Sequence, residues 1–431
     1  MKKVLFTIFT LLMLWSCSNE EETSVPLQPQ EEQGEPQVPG NEDAEEKAPA
    51  ITLTAAQKQA IENNNDFAFN FFRSVCSSAE NEGKGLLVSP ISLTYALGML
   101  NMGATGQTSN EITTILGFSN EGREGINELC KKLIEQAPVV DEAAQLRLAD
   151  MVVADKTVPL SSQYQQDVEQ IYLAKTASLD FSSPDAVKYI NDWCSQQTEG
   201  MIPSIVENLD GTLLALLNAV YFKAPWSGKF DVAETRNEQF TKEDGSKVAL
   251  PMMHREGPAF YQYCDTYTTL GLPYGNGKNW TMFVLLPNEG KSIADVIASL
   301  NSNSWKENIR IAAYGGIDID VKLPRFKAEY DVNLKQVLKQ MGAPSMFEAR
   351  GELTKLTENG ENLAVGDVRQ KSTIEVTEDG TEAAAITIIQ METSTGNGAS
   401  FKPVFHATHP FVYLIQENTS GAIFFIGAFM G

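Results

Sequence analysis

The run from Leu213 to Phe222 is almost wholly apolar, and so is Leu146 to Ala154. A strand wetted on one face alternates polar and apolar residues, and these two do not. They read as central strands of a sheet, buried on both faces. The rest of the chain reads as a mixture of helices and further strands. Helical spacing joins Ile61, Phe67, Phe71 and Val75 between Thr54 and Val75. Ser89-Pro90 opens a second helix, with proline in its first turn and Leu93, Ala96, Leu97 and Leu100 as its stripe. Thr108 and Glu111 have capping-box spacing for a helix ending near Gly117. Ser183-Pro184-Asp185 starts another, and Asp331 reads as the cap of a helix through Leu334, Val337, Leu338 and Met341 that Gly342 stops. Thr281 to Pro287 is strand-like, Ile317 to Leu323 alternates strictly, and Phe411–Gln416 and Ala422–Phe429 flank the turn residues 417–421.

One further segment admits two readings. Glu375-Val376-Thr377 is strand-like, Glu378-Asp379-Gly380 is a turn signal, and Thr381-Glu382-Ala383-Ala384-Ala385-Ile386-Thr387 follows. As a strand it would set Thr381, Ala383, Ala385, Thr387, Ile389, Met391 and Thr393 on one face, and the opening members of that face are small. No proline lies between Gly380 and Lys402, so ladder hydrogen bonds are permitted throughout. Taken alone, the segment is equally an alanine-rich edge strand or helix start leading into the loop chemistry of residues 394–400.

Charge and local motifs exclude several function classes. The formal charge is −23, and loss of Lys2 and Lys3 with a leader takes it two units further, to −25. Such a chain has no electrostatic attraction for nucleic acid or an anionic membrane surface. The three histidines, His254, His406 and His409, fall in no helical metal-binding pattern, and His406 and His409 flank a strand entry as structural residues do. There is no Gly-x-Ser-x-Gly elbow or phosphate-binding loop. Enzyme chemistry, a cofactor and a metal are therefore not expected. Cys76, Cys130, Cys194 and Cys264 sit in apolar-periodic segments and match no metal spacing, so they read as four buried small hydrophobes or as one bridge plus two free thiols.

The amino terminus is a targeting segment. Lys2 and Lys3 precede the apolar stretch Val4–Leu14, which is too short to span a bilayer. Leu14-Trp15-Ser16-Cys17 resembles a bacterial lipobox cleaved before Cys17, with lipid on its sulfur; an ordinary secretory signal is the alternative. Residues 1–16 are thus read as signal peptide and 17–50 as a lipidated cysteine with a disordered acidic tether, too poor in apolar residues to fold. Glu20-Glu21-Glu22 resembles a surface-export signal or is simply linker composition. The expected location is outside the cytoplasm: an outer-membrane lipoprotein on the cell surface or the periplasmic face.

Residues 51–431 read as a single domain, and its order of blocks resembles the serpin superfamily. The blocks are Asn65-Asp66-Phe67-Ala68-Phe69-Asn70, then Ser89-Pro90-Ile91-Ser92 with Leu93 to Gly103. Asn218-Ala219-Val220-Tyr221-Phe222-Lys223-Ala224-Pro225-Trp226 follows, then the segment from Glu378 to Thr387, and last His406 to Ile415 leading into Ala422 to Gly427. The resemblance implies an α+β fold with three β-sheets, about eight or nine helices and an exposed reactive-centre loop. It also implies a monomeric suicide-substrate inhibitor that forms a 1:1 covalent complex with its target protease. Cleavage leaves the loop as an ester on the protease nucleophile. The freed hinge, Glu378, Gly380, Thr381, Glu382, Ala383, Ala384 and Ala385, then enters the main sheet beside Thr373 to Thr377, dragging the protease with it.

By the same resemblance, Ser89, Ser92 and Asn218 are shutter residues beneath the parting strands. Gln370 stands where many animal relatives have histidine, which implies a gate insensitive to mild acid. Trp226 marks where insertion begins, although Trp226, Phe222 and Tyr221 equally suit plain core packing. Family spacing counted from Glu378 puts the scissile bond at Ser394-Thr395. No Lys or Arg lies between Lys371 and Lys402, which denies trypsin-like enzymes a site. The small residues Thr393, Ser394 and Thr395 suit elastase-like or subtilisin-like pockets; Met391 suits a chymotrypsin-like enzyme, and Ile388 or Ile389 a papain-like one. Only the lysine pair Lys131-Lys132 occupies the stretch where some relatives bind sulfated polysaccharides, so no polyanion cofactor is expected. The competing class is a surface binding protein that kept the fold without inhibition.

Overall fold

The structure, a computed structural model, describes residues 49–310, 316–348, 352–360, 363–381 and 402–431. Residues Lys47–Gly431 form one compact unit; the unit Met1–Glu46 lies outside the described residues, as do Cys17, Glu382, Ala383, Ala384, Ala385, Ser394 and Thr395. Among the described residues there are nine α-helices: α1 (Ala55–Cys76), α2 (Pro90–Gly103), α3 (Gly106–Ile115), α4 (Gly122–Gln136), α5 (Ser162–Tyr172), α6 (Pro184–Gln197), α7 (Ile293–Ser299), α8 (Ser302–Arg310) and α9 (Lys335–Gln340). The strands are β1 (Leu86–Val88), β2 (Gln145–Asp155), β3 (Lys175–Leu179), β4 (Leu214–Pro225), β5 (Arg236–Thr241), β6 (Lys247–Tyr263), β7 (Tyr267–Tyr274) and β8 (Trp280–Pro287). They continue as β9 (Ile317–Pro324), β10 (Phe326–Asn333), β11 (Asp367–Val376), β12 (Gly380–Thr381), β13 (Val404–His406), β14 (Phe411–Glu417) and β15 (Ile423–Phe429).

The strands make three sheets. The main sheet has six strands in the order β10-β11-β12-β4-β2-β3. A second sheet runs β1-β15-β14-β8-β7-β6. The long strand β6 also belongs to a third: its residues from Lys247 pair with β5 and β9, and Phe260 to Tyr263 pair with β7. β13 closes that third sheet by running parallel to β9.

The two apolar runs, β2 and β4, are neighbours in antiparallel register at the centre of the main sheet, with Asp150 opposite Asn218. One set of their side chains, Ala149, Met151, Val153, Ala215, Leu217 and Ala219, packs under α6 against Ile190, Trp193 and Cys194. The alternate set, including Leu146, Val152, Leu216, Val220 and Phe222, enters the larger core against the second sheet and α2. Both faces are covered, which is why neither run alternates.

Local chemistry sets the helix ends, with two departures from expectation. Thr54 and Gln57 make a reciprocal capping box for α1, and Pro90 stands in the first turn of α2. Thr108 does not cap α3, which begins at Gly106 with Thr105 before it; Glu111 instead holds the Ser345 backbone N–H (2.9 Å) and hydroxyl (2.7 Å). Asp331 caps no helix either. It lies in β10, paired with Arg369 (2.9 Å), while the Asn333 side chain accepts from the Lys335 backbone N–H at the start of α9. The four domain cysteines are free thiols, Cys130 and Cys194 buried and Cys76 and Cys264 half-buried.

Candidate functional site in the main sheet

β4 and β11 run parallel and pair from Ala215 with Asp367 up to Tyr221 with Thr373. Beyond that point they part, and β12 fills the gap. Thr381 pairs antiparallel with Val376 of β11 on one side and with Ala224 of β4 on the other. The chain arrives there through a tight turn in which the backbone N–H groups of Thr377 and Gly380 donate to each other's carbonyls (2.8 and 3.3 Å). Gly380 has φ +152°, and a Cβ at this position would overlap the Ala224 carbonyl oxygen and the Pro225 Cα. Only glycine meets both demands.

The residues around this entry hold it closely. Trp226 is buried, stacks on Tyr274 with ring centroids 4.3 Å apart, and donates from Nε1 to the Thr377 carbonyl (2.9 Å). Its backbone N–H donates to the Asp379 carbonyl (2.8 Å), and that of Phe230 donates to the Glu378 carbonyl (2.9 Å). Thr381 is fully buried with its hydroxyl 2.6 Å from that of Tyr274. Glu378, also buried, accepts from the Thr235 hydroxyl (2.7 Å) and lies 3.6 Å from Arg325, and Lys229 pairs with Asp379 (2.8 Å). Trp226 therefore belongs to the core and also walls the seat of β12.

Lower in the sheet, the expected shutter residues meet. The Ser89 backbone N–H donates to Gln370 Oε1 (2.8 Å), and Gln370 Nε2 donates back to the Ser89 carbonyl (2.9 Å). Asn218 Oδ1 accepts from the Ser92 hydroxyl and, at 3.5 Å, from Gln370 Nε2. Asn218 Nδ2 donates to Asp150 Oδ1 (2.6 Å). Asp150 is the member that sequence reasoning missed. Burial pushes its carboxyl up to about 7, against the downward pull of the Asn218 hydrogen bond. Gln370 carries no titrating group, but the network does, so insensitivity to mild acid does not follow. The available signal was a lone acid inside an apolar strand run. The Ser89, Ser372 and Thr373 hydroxyls are buried here with no hydrogen-bond partner among the described residues.

The serpin (serine protease inhibitor) family model matches residues 62–431. A serpin-like protein of the archaeon Thermococcus kodakarensis is 32% identical, covering 87% of this chain and 86% of its own length. Serpin-Z10 of Arabidopsis thaliana is 30% identical, covering 86% and 97%. Among solved structures, human thyroxine-binding globulin in complex with thyroxine superposes with a TM-score of 0.79 at 26% identity, covering 88% of this chain and 99% of that one. The chain belongs to the serpin family and has its fold. Members of that family are in general inhibitors acting on target proteases rather than enzymes.

Proposed function

We propose that this protein is a suicide-substrate inhibitor of serine proteases with elastase-like or subtilisin-like pockets, extending to papain-like cysteine proteases. It traps the acyl-enzyme by drawing its cleaved loop between β4 and β11. The observation that carries this reading is the occupied gap. Gly380 and Thr381 are seated between the two strands, antiparallel to both, as the first residues of an inserting strand must be. Continued insertion would add roughly a dozen hydrogen bonds at about 1 kcal/mol each, on the order of ten kcal/mol. Displacing a catalytic group by about 1 Å can slow an enzyme about 100-fold. Ala383 and Ala385, the next residues on the face that Thr381 opens, are small enough in sequence to follow it between the strands. Ser394-Thr395 is the proposed scissile bond, and Ser89, Ser92, Asn218 and Gln370 the proposed gate.

The chain from Ile51 onward, mixed with neutrophil elastase, subtilisin, trypsin and papain, tests this. The expected result is an SDS- and heat-resistant complex with an elastase-like or subtilisin-like enzyme, and a released peptide beginning near Thr395. Trypsin should give none. Cleavage of the loop without any complex would leave the other reading, a surface binding protein, which the similarity to thyroxine-binding globulin favours. We also propose that the chain is exported and anchored through lipid on Cys17, with residues 1–16 removed and 17–50 as tether. More than one acyl chain gives stable anchoring. Metabolic labelling with an alkyne fatty acid should mark the protein, and Cys17→Ala should abolish the label.

A further inference from the structure

The third sheet gathers ionisable groups that the sequence keeps apart. His254 and Glu256 are alternate residues of β6 and so share a face. Asp320 of β9 is directly opposite Glu256, and Lys322 is opposite His254. On the far side of β9, β13 sets His406 beside Lys322. Two of the chain's three imidazoles therefore flank the central strand on one face. The Nε2 atoms of both reach the same carboxylate oxygen, Asp320 Oδ1, at 3.0 Å from His254 and 3.1 Å from His406. Ligand atoms of His254, Glu256 and Asp320 all lie within 4.8 Å of one another.

We propose that His254, Glu256 and Asp320 form a binding site for a divalent transition-metal ion, zinc by preference, with His406 or water completing the shell. Imidazole nitrogen and carboxylate oxygen together are a borderline donor set that suits zinc and is poor for magnesium or calcium. In a tetrahedral site with bonds of about 2.0–2.1 Å, neighbouring ligand atoms stand roughly 3.3 Å apart. The two nitrogen–oxygen distances here, 3.0 and 3.1 Å, fall a few tenths of an ångström short of that edge. The neighbouring charges are compatible with a cation. Lys322 is turned to Glu238 (2.7 Å) and Lys402 to Glu256, so Asp320, Glu256 and Glu238 exceed the two ammonium groups by one negative charge. The side chains of His254, Asp320 and His406 are 27%, 26% and 32% exposed, which leaves an ion a route in.

Binding would replace two hydrogen bonds with two metal bonds, each Nε2 giving up its proton to solvent or to the ring's other nitrogen. The consequence falls on β13. Among the described residues this three-residue strand pairs with β9 alone, and it is the first strand described after Thr381. An ion held by His254, Glu256 and Asp320, with His406 in its shell, would tie β13 to both β9 and β6, fastening the carboxyl side of the loop segment to the body of the molecule.

The test uses the full chain stripped with EDTA and dialysed. Calorimetric titration with zinc chloride should give one equivalent bound, and cobalt(II) should give the visible absorption of a tetrahedral nitrogen–oxygen site. His254→Gln and His406→Gln, which keep a donor for Asp320, should each weaken zinc binding roughly tenfold or more, as loss of a ligand or its support does. The double variant should bind none while keeping its unfolding temperature without metal, and zinc should raise the unfolding temperature of the parent but not of the double variant. His409→Gln, remote from the cluster, should change nothing. Zinc uptake by the parent no greater than by the double variant, absence of the cobalt band, or equal weakening by His409→Gln would each overturn the proposal.

Discussion

At the scale of single residues, Asp150 carries the sharpest consequence. Its carboxyl is buried opposite Asn218, and burial pushes it from the usual carboxylate value up to about 7. The titratable groups facing it from neighbouring helices, Tyr95 of α2, Cys130 of α4 and Tyr172 of α5, are themselves pushed up by burial and stay neutral. An acid whose folded value is raised favours the folded state while protonated. Its stabilising contribution is complete below about pH 4, declines as pH rises and is gone above about 7. Asp150→Asn keeps a partner for Asn218 and removes the charge. The gap in unfolding temperature between this variant and the parent should be smallest at pH 5 and largest at pH 8, with the variant the more stable there. A gap that does not change with pH would show that the carboxylate ionises without penalty. Asp150 was legible in principle as an acid in an apolar run. Its partners were not: Ser89 and Gln370 are 281 residues apart, and only the resemblance, with no local pattern, suggested that they meet.

At the scale of elements, the hinge shows what period and propensity can and cannot reach. The small face beginning at Thr381 was visible from alternation alone, and the structure seats its first member between two strands. The turn was legible too, because Gly380 alone tolerates the backbone angle and the close approach to β4. By contrast β10 was read as the approach to a helix because Asp331 suggested a cap. The residues Phe326 to Asn333 in fact alternate buried or half-buried with exposed, the period of a strand, and Asp331 takes its place on the wet face. β12 also permits a direct test of insertion. Thr381 is fully buried against Tyr274, and an arginine there would have to bring its guanidinium into that space. Thr381→Arg should turn an inhibitor into a substrate: loop cleavage continues, while the SDS-resistant complex falls to a minor product on the same gel. An undiminished complex would remove the insertion mechanism.

At the scale of the whole molecule, the main sheet is unfinished. β4 and β11 pair along their lower halves and separate above Thr373, and among the described residues the space between them holds the two of β12. The buried hydroxyls of Ser372 and Thr373, on β11 beside this space, have no hydrogen-bond partner among the described residues, and an unsatisfied buried hydroxyl costs about 1–3 kcal/mol. A strand added along the gap would supply backbone partners along its length and bury the small face of the loop. If the proposed insertion mechanism holds, the native arrangement is not the most stable one open to this chain and is retained because the uncut segment is held at β12 and at β13. Cutting the loop frees one tether. A gain on the order of ten kcal/mol from new hydrogen bonds corresponds, for a domain of this size, to a rise in unfolding temperature on the order of 10–20 °C. Limited proteolysis in the loop with an enzyme that is not trapped, followed by calorimetry of the nicked and intact forms, measures this directly. The nicked form should melt well above the intact one. If both melt together, the gap between β4 and β11 is not a receptor for the loop, and the inhibitory reading falls with it.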